Sequence, residues 1–177
     1  MPKNSNEQIK QDEKRIIKEL RKYANKSIND IAKSCHFSRQ KVWRIIKNLE
    51  KNNTIWGYTA VIDEQKLGEK SFILLIKRKQ APIKEETVDK VIDRDIENKI
   101  KELGVEIIYS LYTNGIYDWI EFFSAPDTKT AKKFVENFNI LYGDYISENH
   151  LIETMFSVKS NGIKNPELEK FKDMFNF

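Results

Sequence analysis

Apolar residues recur at helical spacing through the first third of the chain. Ile16, Ile17, Leu20 and Ala24 line one side of a first helix that Asp12 can cap. Asn25-Lys26 breaks the pattern. Ser27, with Asp30 three residues on, is a capping-box-like start for a second helix whose apolar residues are Ile28, Ile31 and Ala32. Cys35-His36-Phe37 is a gap of the length that joins two helices in a helix-turn-helix. Ser38 is the next N-cap candidate. At ~100° per residue, Val42, Ile45, Ile46 and Leu49 then form one stripe of a third helix, which Asn52-Asn53 can end. Thr54–Asp63 reads as extended chain around Gly57, a small wing or a linker strand, with Trp56 assigned to packing.

From Lys70 onward the pattern changes to strand, helix, strand, strand, helix, strand. Ser71–Lys77 is a dense β run. Pro82 can open a long helix carrying Val88, Val91, Ile92, Ile96, Ile100 and Leu103 on one face, with Gly104 as its stop. Val105–Thr113 and Ile116–Ser124 are strands around Asn114-Gly115, a hairpin dipeptide. Pro126-Asp127 opens a helix that buries Ala131, Phe134, Val135, Phe138 and Leu141, and His150–Val158 is a last strand. The order βαββαβ is the ferredoxin-like plan, so the fold class is α+β. Beyond it, Leu168, Phe171, Met174 and Phe175 mark a short amphipathic helix in Asn165–Phe177, docking on this chain or on a neighbour.

Length bounds this organisation: 177 residues make one domain or two small ones. The expected divisions are a tail over residues 1–11, a winged helix-turn-helix over 12–57 and a linker strand over 58–70. A ferredoxin-like domain over 71–160 and a helical extension over 161–177 complete the chain. No apolar run approaches the ~18 residues of a membrane span, and the N-terminus lacks the apolar core of a signal peptide. A soluble, cytoplasmic protein is expected. One cysteine, Cys35, excludes an internal disulfide framework and a Cys-cluster metal site, and two histidines leave little for a His-based one. No metal and no cofactor are expected.

Charge changes the picture more than composition does. Residues 1–57 hold 14 Lys and Arg against 6 Asp and Glu, a net of +8, while the remainder is net −4. A basic module on a mildly acidic body suits a polyanion partner, although a lysine-rich solvated surface gives the same sum. Placement decides between the two. Opposite the apolar stripe of the third helix lie Gln40, Arg44, Lys47 and Lys51, with Trp43 on the flank. No acidic residue falls between Asp30 and Glu50. Arg can read a guanine edge and Gln an adenine edge, while Lys mostly neutralises phosphate. Gln40, Arg44 and Lys47 are therefore candidates for base edges, and Ser38, Arg39 and Lys41 for phosphates of double-stranded DNA, with Trp43 on their flank as a seventh DNA-contact candidate.

Asp12–Gly68 resembles the feast/famine regulators of the Lrp/AsnC family. The matching features are Ile31-Ala32-Lys33, Phe37-Ser38, Val42-x-Arg44-Ile45, Leu49-Glu50, Ile55-x-Gly57-Tyr58-Thr59-Ala60 and Leu67-Gly68, in order. His36 stands where that family usually has glycine; histidine is among the residues enriched at positive φ, so the turn can survive. The resemblance implies transcriptional regulation by a dimer or larger homo-oligomer, with a ferredoxin-like assembly domain of the RAM type that can sense an amino acid. It extends to Gly115-Ile116-Tyr117-Asp118, similar to the family's Gly-x-Tyr-Asp turn. That similarity implies an effector site at Asn114, Gly115, Tyr117 and Asp118, where Gly115 would let backbone N–H groups approach a carboxylate and Asp118 would meet an ammonium. A plain hairpin turn fits the same residues. The chain departs from the family in its longer first helix after Pro82, in Leu141-Tyr-Gly-Asp-Tyr145 and in its final segment. The architecture is also similar to sirohaem decarboxylases. Those carry an Arg-Arg pair where Trp56-Gly57 stands here, and no catalytic grouping is legible, so a non-enzymatic protein is expected.

Overall fold

The computed structural model describes residues 6–175. The chain divides into two compact units: the segment up to Val61 together with that from Val158 onward, and Ile62–Ser157.

Three helices build the first unit: α1 (Asn6–Lys22), α2 (Ile28–Cys35) and α3 (Arg39–Lys51). Ser27 caps α2, its hydroxyl oxygen accepting from Asp30 N at 3.2 Å. His36 ends α2 in the left-handed region at φ 56°, so the glycine-like turn does survive the substitution. Ser38 then caps α3, accepting from Lys41 N at 3.2 Å. Ile16, Ile31, Val42, Ile45, Ile46 and Leu49 close the core. Cys35 is buried and unpaired within it, and burial raises the pKa of its thiol.

The first helix departs from expectation. It starts at Asn6, so residues 6–11 are not a tail, and the first five residues of that expected tail lie outside the described ones. Asp12 is therefore no cap. It lies inside α1, 2% exposed, where Oδ2 is 2.6 Å from Lys41 Nζ and Oδ1 accepts from Gln8 Nε2 at 3.1 Å. Lys41 Nζ also stands 4.0 Å from the centroid of the Phe37 ring. An ion pair thus ties α1 to the start of α3.

After α3 the expected wing or linker strand does not form: no strand is assigned between Asn52 and Glu69. The backbone N–H groups of Thr54 and Ile55 return to Leu49 O, Tyr58 Oη donates to Glu50 at 3.1 Å, and a 3-10 turn follows at Glu64–Leu67. Trp56, assigned to packing, is 95% exposed.

In the second unit an antiparallel sheet carries β1 (Lys70–Arg78), β2 (Glu106–Tyr112), β3 (Trp119–Ala125) and β4 (Ile146–Glu153) in the order β2-β3-β1-β4. With α4 (Glu85–Ile92), α5 (Asp95–Ile100) and α6 (Thr128–Tyr142), this is the ferredoxin-like arrangement. Phe72, Leu74 and Ile76 of β1 face the helices with Trp119 and Phe123 of β3. Phe134, Phe138 and Tyr142 recur every four residues on α6. Their rings meet the sheet at centroid distances of 4.3 Å (Phe123–Phe134), 4.9 Å (Trp119–Phe138) and 5.3 Å (Trp119–Tyr142).

The single helix expected from Pro82 to Leu103 is instead two. Arg94, at φ 57°, separates α4 from α5, and a 3-10 turn at Lys101–Leu103 ends at Gly104 with φ 67°. The last strand begins four residues earlier than His150, at Ile146, and ends at Glu153. Beyond it, a two-residue ladder pairs β5 (Lys159–Ser160) with β6 (Ile163–Lys164). The expected terminal helix is a 3-10 helix over Leu168–Phe175; residues 176–177 lie outside the described ones.

The Asp12–Lys41 tie makes a stability prediction. Burial alone would disfavour the Asp12 carboxylate, but hydrogen bonds from Lys41 and Gln8 and the charges of Lys41 and Arg15 outweigh it and hold its pKa below the usual carboxylate value. A carboxylate with a depressed folded pKa stabilises fully at neutral pH, and that contribution fades as pH falls through the folded value. Asp12→Ala should therefore destabilise the protein by about 2 kcal/mol at pH 7 and by less in acid. Urea unfolding at both pH values tests this; equal midpoints at pH 7 would show that the pair does not brace the unit.

Candidate DNA interface

α3 buries one stripe, so its opposite side faces solvent. Arg39, Gln40, Trp43 and Arg44 line a concave surface of about 640 Å³ together with Ile28, Ser38 and Lys41. Six of the seven sequence-predicted DNA-contact residues are thus gathered in one place. Lys47 is absent from this lining.

The residues differ in what they are free to do. Arg39, Gln40 and Arg44 are exposed, and among the described residues none of the three side chains makes a hydrogen bond or ion pair. Such groups can meet a nucleic acid without first giving up a protein partner. Trp43 is about half exposed and offers a flat ring beside them. Ser38 Oγ accepts from Lys41 N as the helix cap, so a phosphate would have to share that hydroxyl. Lys41 was expected on a phosphate, but its ammonium is turned onto Asp12 and the Phe37 ring. Lys47 was expected on a base edge, but its ammonium pairs with Glu50 Oε2 at 2.7 Å. That pair is exposed, and solvent screening makes it weak enough to exchange for a phosphate. The sequence reading missed Ile28 as part of the wall. Its place at the start of α2, which packs beside the start of α3, was the available signal.

The proposed effector turn is differently placed. Asn114-Gly115 is not a two-residue hairpin but lies within the six-residue loop between β2 and β3. Gly115 is not among the residues with positive φ, and nothing lies within 4 Å of where its Cβ would be, so no close approach requires a glycine there. Asp118 Oδ2 accepts from Arg78 N at 2.9 Å, and Oδ1 lies 3.4 Å from Arg78 Nε. Tyr117 O accepts from Thr113 Oγ1 at 2.6 Å, and the Tyr117 ring meets His150 edge-on at 5.9 Å. Asp118 therefore clasps the end of β1 from the start of β3, while Asn114 and Gly115 remain exposed at the tip. Among the described residues no group of three or more His, Cys, Asp and Glu could hold a metal ion, and no helix is long and apolar enough to cross a membrane.

Residues 13–55 match the winged helix-turn-helix DNA-binding family, a span that takes in most of α1, all of α2 and α3 and every residue of the concave surface. No curated protein sequence matches the chain. Solved structures do. LrpC of Bacillus subtilis is 19% identical, with 84% of this chain and 96% of that one aligned at a TM-score of 0.60. An AsnC family transcriptional regulator from Agrobacterium tumefaciens is 18% identical over 90% and 97%, with a TM-score of 0.62. Transcriptional regulator NMB0573 of Neisseria meningitidis, solved as its L-Met complex, is 12% identical over 89% and 97%, with a TM-score of 0.61. A segment that matches the winged helix-turn-helix family thus sits on a fold shared along most of the chain with Lrp/AsnC regulators.

Two substitutions separate the roles assigned on α3. Arg44→Ala should reduce discrimination between preferred and random duplexes by about 1–3 kcal/mol without altering stability. Lys41→Ala should do the reverse, lowering the unfolding midpoint and changing discrimination little. Fluorescence anisotropy with labelled duplexes, alongside urea unfolding, reads both. Selectivity unchanged by Arg44→Ala would remove that side chain from base recognition.

Proposed function

We propose that this protein is a cytoplasmic, non-enzymatic transcriptional regulator of the Lrp/AsnC type that binds double-stranded DNA as a homodimer. Residues 12–57 carry the DNA contact and residues 71–160 the assembly. The observation that carries the DNA reading is the unpaired row Arg39, Gln40 and Arg44, held on a rigid helix in a basic unit.

The dimer reading rests on the face of the sheet turned away from the helices. There Ile73 of β1 is in register with Phe122 of β3 and Ile152 of β4, and Leu75 with Ile120. Tyr109 and Leu111 of β2 extend the same face beside Phe122 and Ile120. Tyr109, Leu111 and Ile152 are exposed, and the other four are half-buried. A continuous apolar sheet face is costly in water and calls for a cover. A second copy supplies an identical face about a two-fold axis, and with it a second helix-turn-helix for a symmetric operator.

Regulation by an amino acid at Asn114, Gly115, Tyr117 and Asp118 is supported by the L-Met complex of the Neisseria relative. The engagement of Asp118 with Arg78 favours a second reading, in which the turn only locks the sheet and the second unit only assembles subunits.

Three measurements test these statements. Duplex affinity should fall with salt, with a slope of about −0.9 in log K per phosphate neutralised; salt-independent binding would sink the DNA reading. Leu75→Arg should convert dimer to monomer in sedimentation velocity and weaken duplex binding through the lost second contact. A dimer unchanged by Leu75→Arg would place the interface elsewhere. A thermal-shift screen of the twenty amino acids should find one ligand, its effect lost in Asp118→Ala. If none shifts melting and Asp118→Ala simply melts lower, the turn is structural.

A further inference from the structure

Glu121 stands on β3 between Trp119 and Phe123, on the side covered by helices, with Leu74 of β1 opposite in register. It is 0% exposed. Oε1 accepts from Ser110 Oγ at 2.8 Å, whereas Oε2 meets no hydrogen-bond donor among the described residues. The Ser110 oxygen in turn accepts from Trp119 Nε1 at 3.0 Å and from Arg94 Nη1 at 2.9 Å, which exhausts its capacity.

Arg94 is the residue that splits the helix expected over this stretch. It holds a left-handed backbone, disfavoured for any side chain with a Cβ. Its guanidinium is committed to Glu97, with Nε 2.7 Å from Oε1, and stays 3.9 Å from Glu121, beyond hydrogen-bond reach. The surroundings hold few other charges. The break presents Arg94, and α5 presents Glu97. β2 presents Ser110, β3 presents Trp119, and β1 presents only Leu74. From α6 comes the Tyr142 hydroxyl, which donates to Lys90 O of α4 at 3.2 Å. Burial pushes the carboxyl of Glu121 up to about 7; the Ser110 hydrogen bond, the Arg94 charge and the Trp119 indole N–H pull against this, and Glu97 adds to it.

We propose that Glu121, Ser110 and Arg94 form a proton-operated latch on the break between α4 and α5. With Glu121 neutral, Arg94 rests on Glu97 and the break stands as observed. When the proton leaves for solvent, a buried anion with an unpartnered oxygen remains, and Arg94 is the cation at hand. The guanidinium then transfers from Glu97 to Oε2, drawing Asp93–Asp95 toward β3. The C-terminal end of α4 is drawn along through the chain at Asp93, while Lys90 O, held by the Tyr142 hydroxyl of α6, is the pivot. The helical cover of the assembly unit therefore has two settings across neutral pH, whether or not the DNA reading holds.

Trp119 is the reporter, since it bonds Ser110 directly. Of the chain's three tryptophans, Trp43 and Trp56 are exposed, so Trp43→Phe with Trp56→Phe leaves Trp119 alone. In that full-length protein, Trp119 emission should show one transition near neutrality, and amide exchange at residues 93–97, corrected for its intrinsic pH dependence, should change with it. Glu121→Gln should abolish both. Glu97→Gln, which weakens the competing acceptor and removes a like charge, should lower the midpoint by about one pH unit. Emission flat from about pH 5.5 to 8.5, a transition that persists in Glu121→Gln, or a midpoint unmoved by Glu97→Gln would each overturn the latch. If Glu121→Gln does not fold, the Glu97→Gln shift decides alone.

Discussion

Val42, Ile45, Ile46 and Leu49 lie along one stripe of α3, and all four are buried. A helix that buries one stripe must offer the opposite one to solvent, so the exposure of Arg39, Gln40 and Arg44 is a geometric consequence of core formation. The stripe also has to be held at a fixed rotation if those side chains are to keep register with anything outside. Three restraints do this at different points. Ser38 closes the first turn, Lys41 reaches back to Asp12 on α1, and the chain after the helix folds back so that Ile55 N meets Leu49 O. One basic side chain near the exposed face is thereby spent on stability.

The sheet unit solves a different problem with the same means. Its helix-facing side is closed by the aromatic series of α6 against Trp119 and Phe123, a dense contact that does not need α4 and α5 to be one continuous rod. Ile96 and Ile100 bury from α5, whereas α4 contributes no buried residue. The break at Arg94 is thus tolerated where packing demands least. The outward side of the sheet keeps an apolar centre, the face on which the proposed dimer rests.

Most of the DNA-facing unit was legible because its determinants are local. The stripe of α3 follows from ~100° per residue, Ser27 and Ser38 are caps by residue type, and His36 stands where the turn between α2 and α3 requires positive φ. The misread features depend on partners distant in sequence. Asp12 looks like a cap until Lys41, brought close only by folding, claims its carboxylate. The Arg94 break carries no glycine or proline, so nothing in residues 85–103 announces it. Trp56 looks like core by composition, yet the pinned residues on either side of it leave its ring outside. Glu121 reads as one polar position among alternating strand residues, and only the registers of β1 and β2 show that it is enclosed. At the effector turn, the motif was visible, but the use of Asp118 depended on where the end of β1 would come to lie.

Cys35 closes α2 inside the three-helix core and is the chain's only thiol. A bulky alkylating reagent can reach its sulfur only after α2 and α3 separate, and the reagent attacks the thiolate that burial disfavours. Alkylation therefore reports how readily this small unit opens. The chain carries a built-in kinetic gauge of local unfolding, placed directly behind the surface assigned to DNA. Any duplex that clamps α3 in place must slow that alkylation, so occupancy could be followed by mass spectrometry without attaching a label to either molecule.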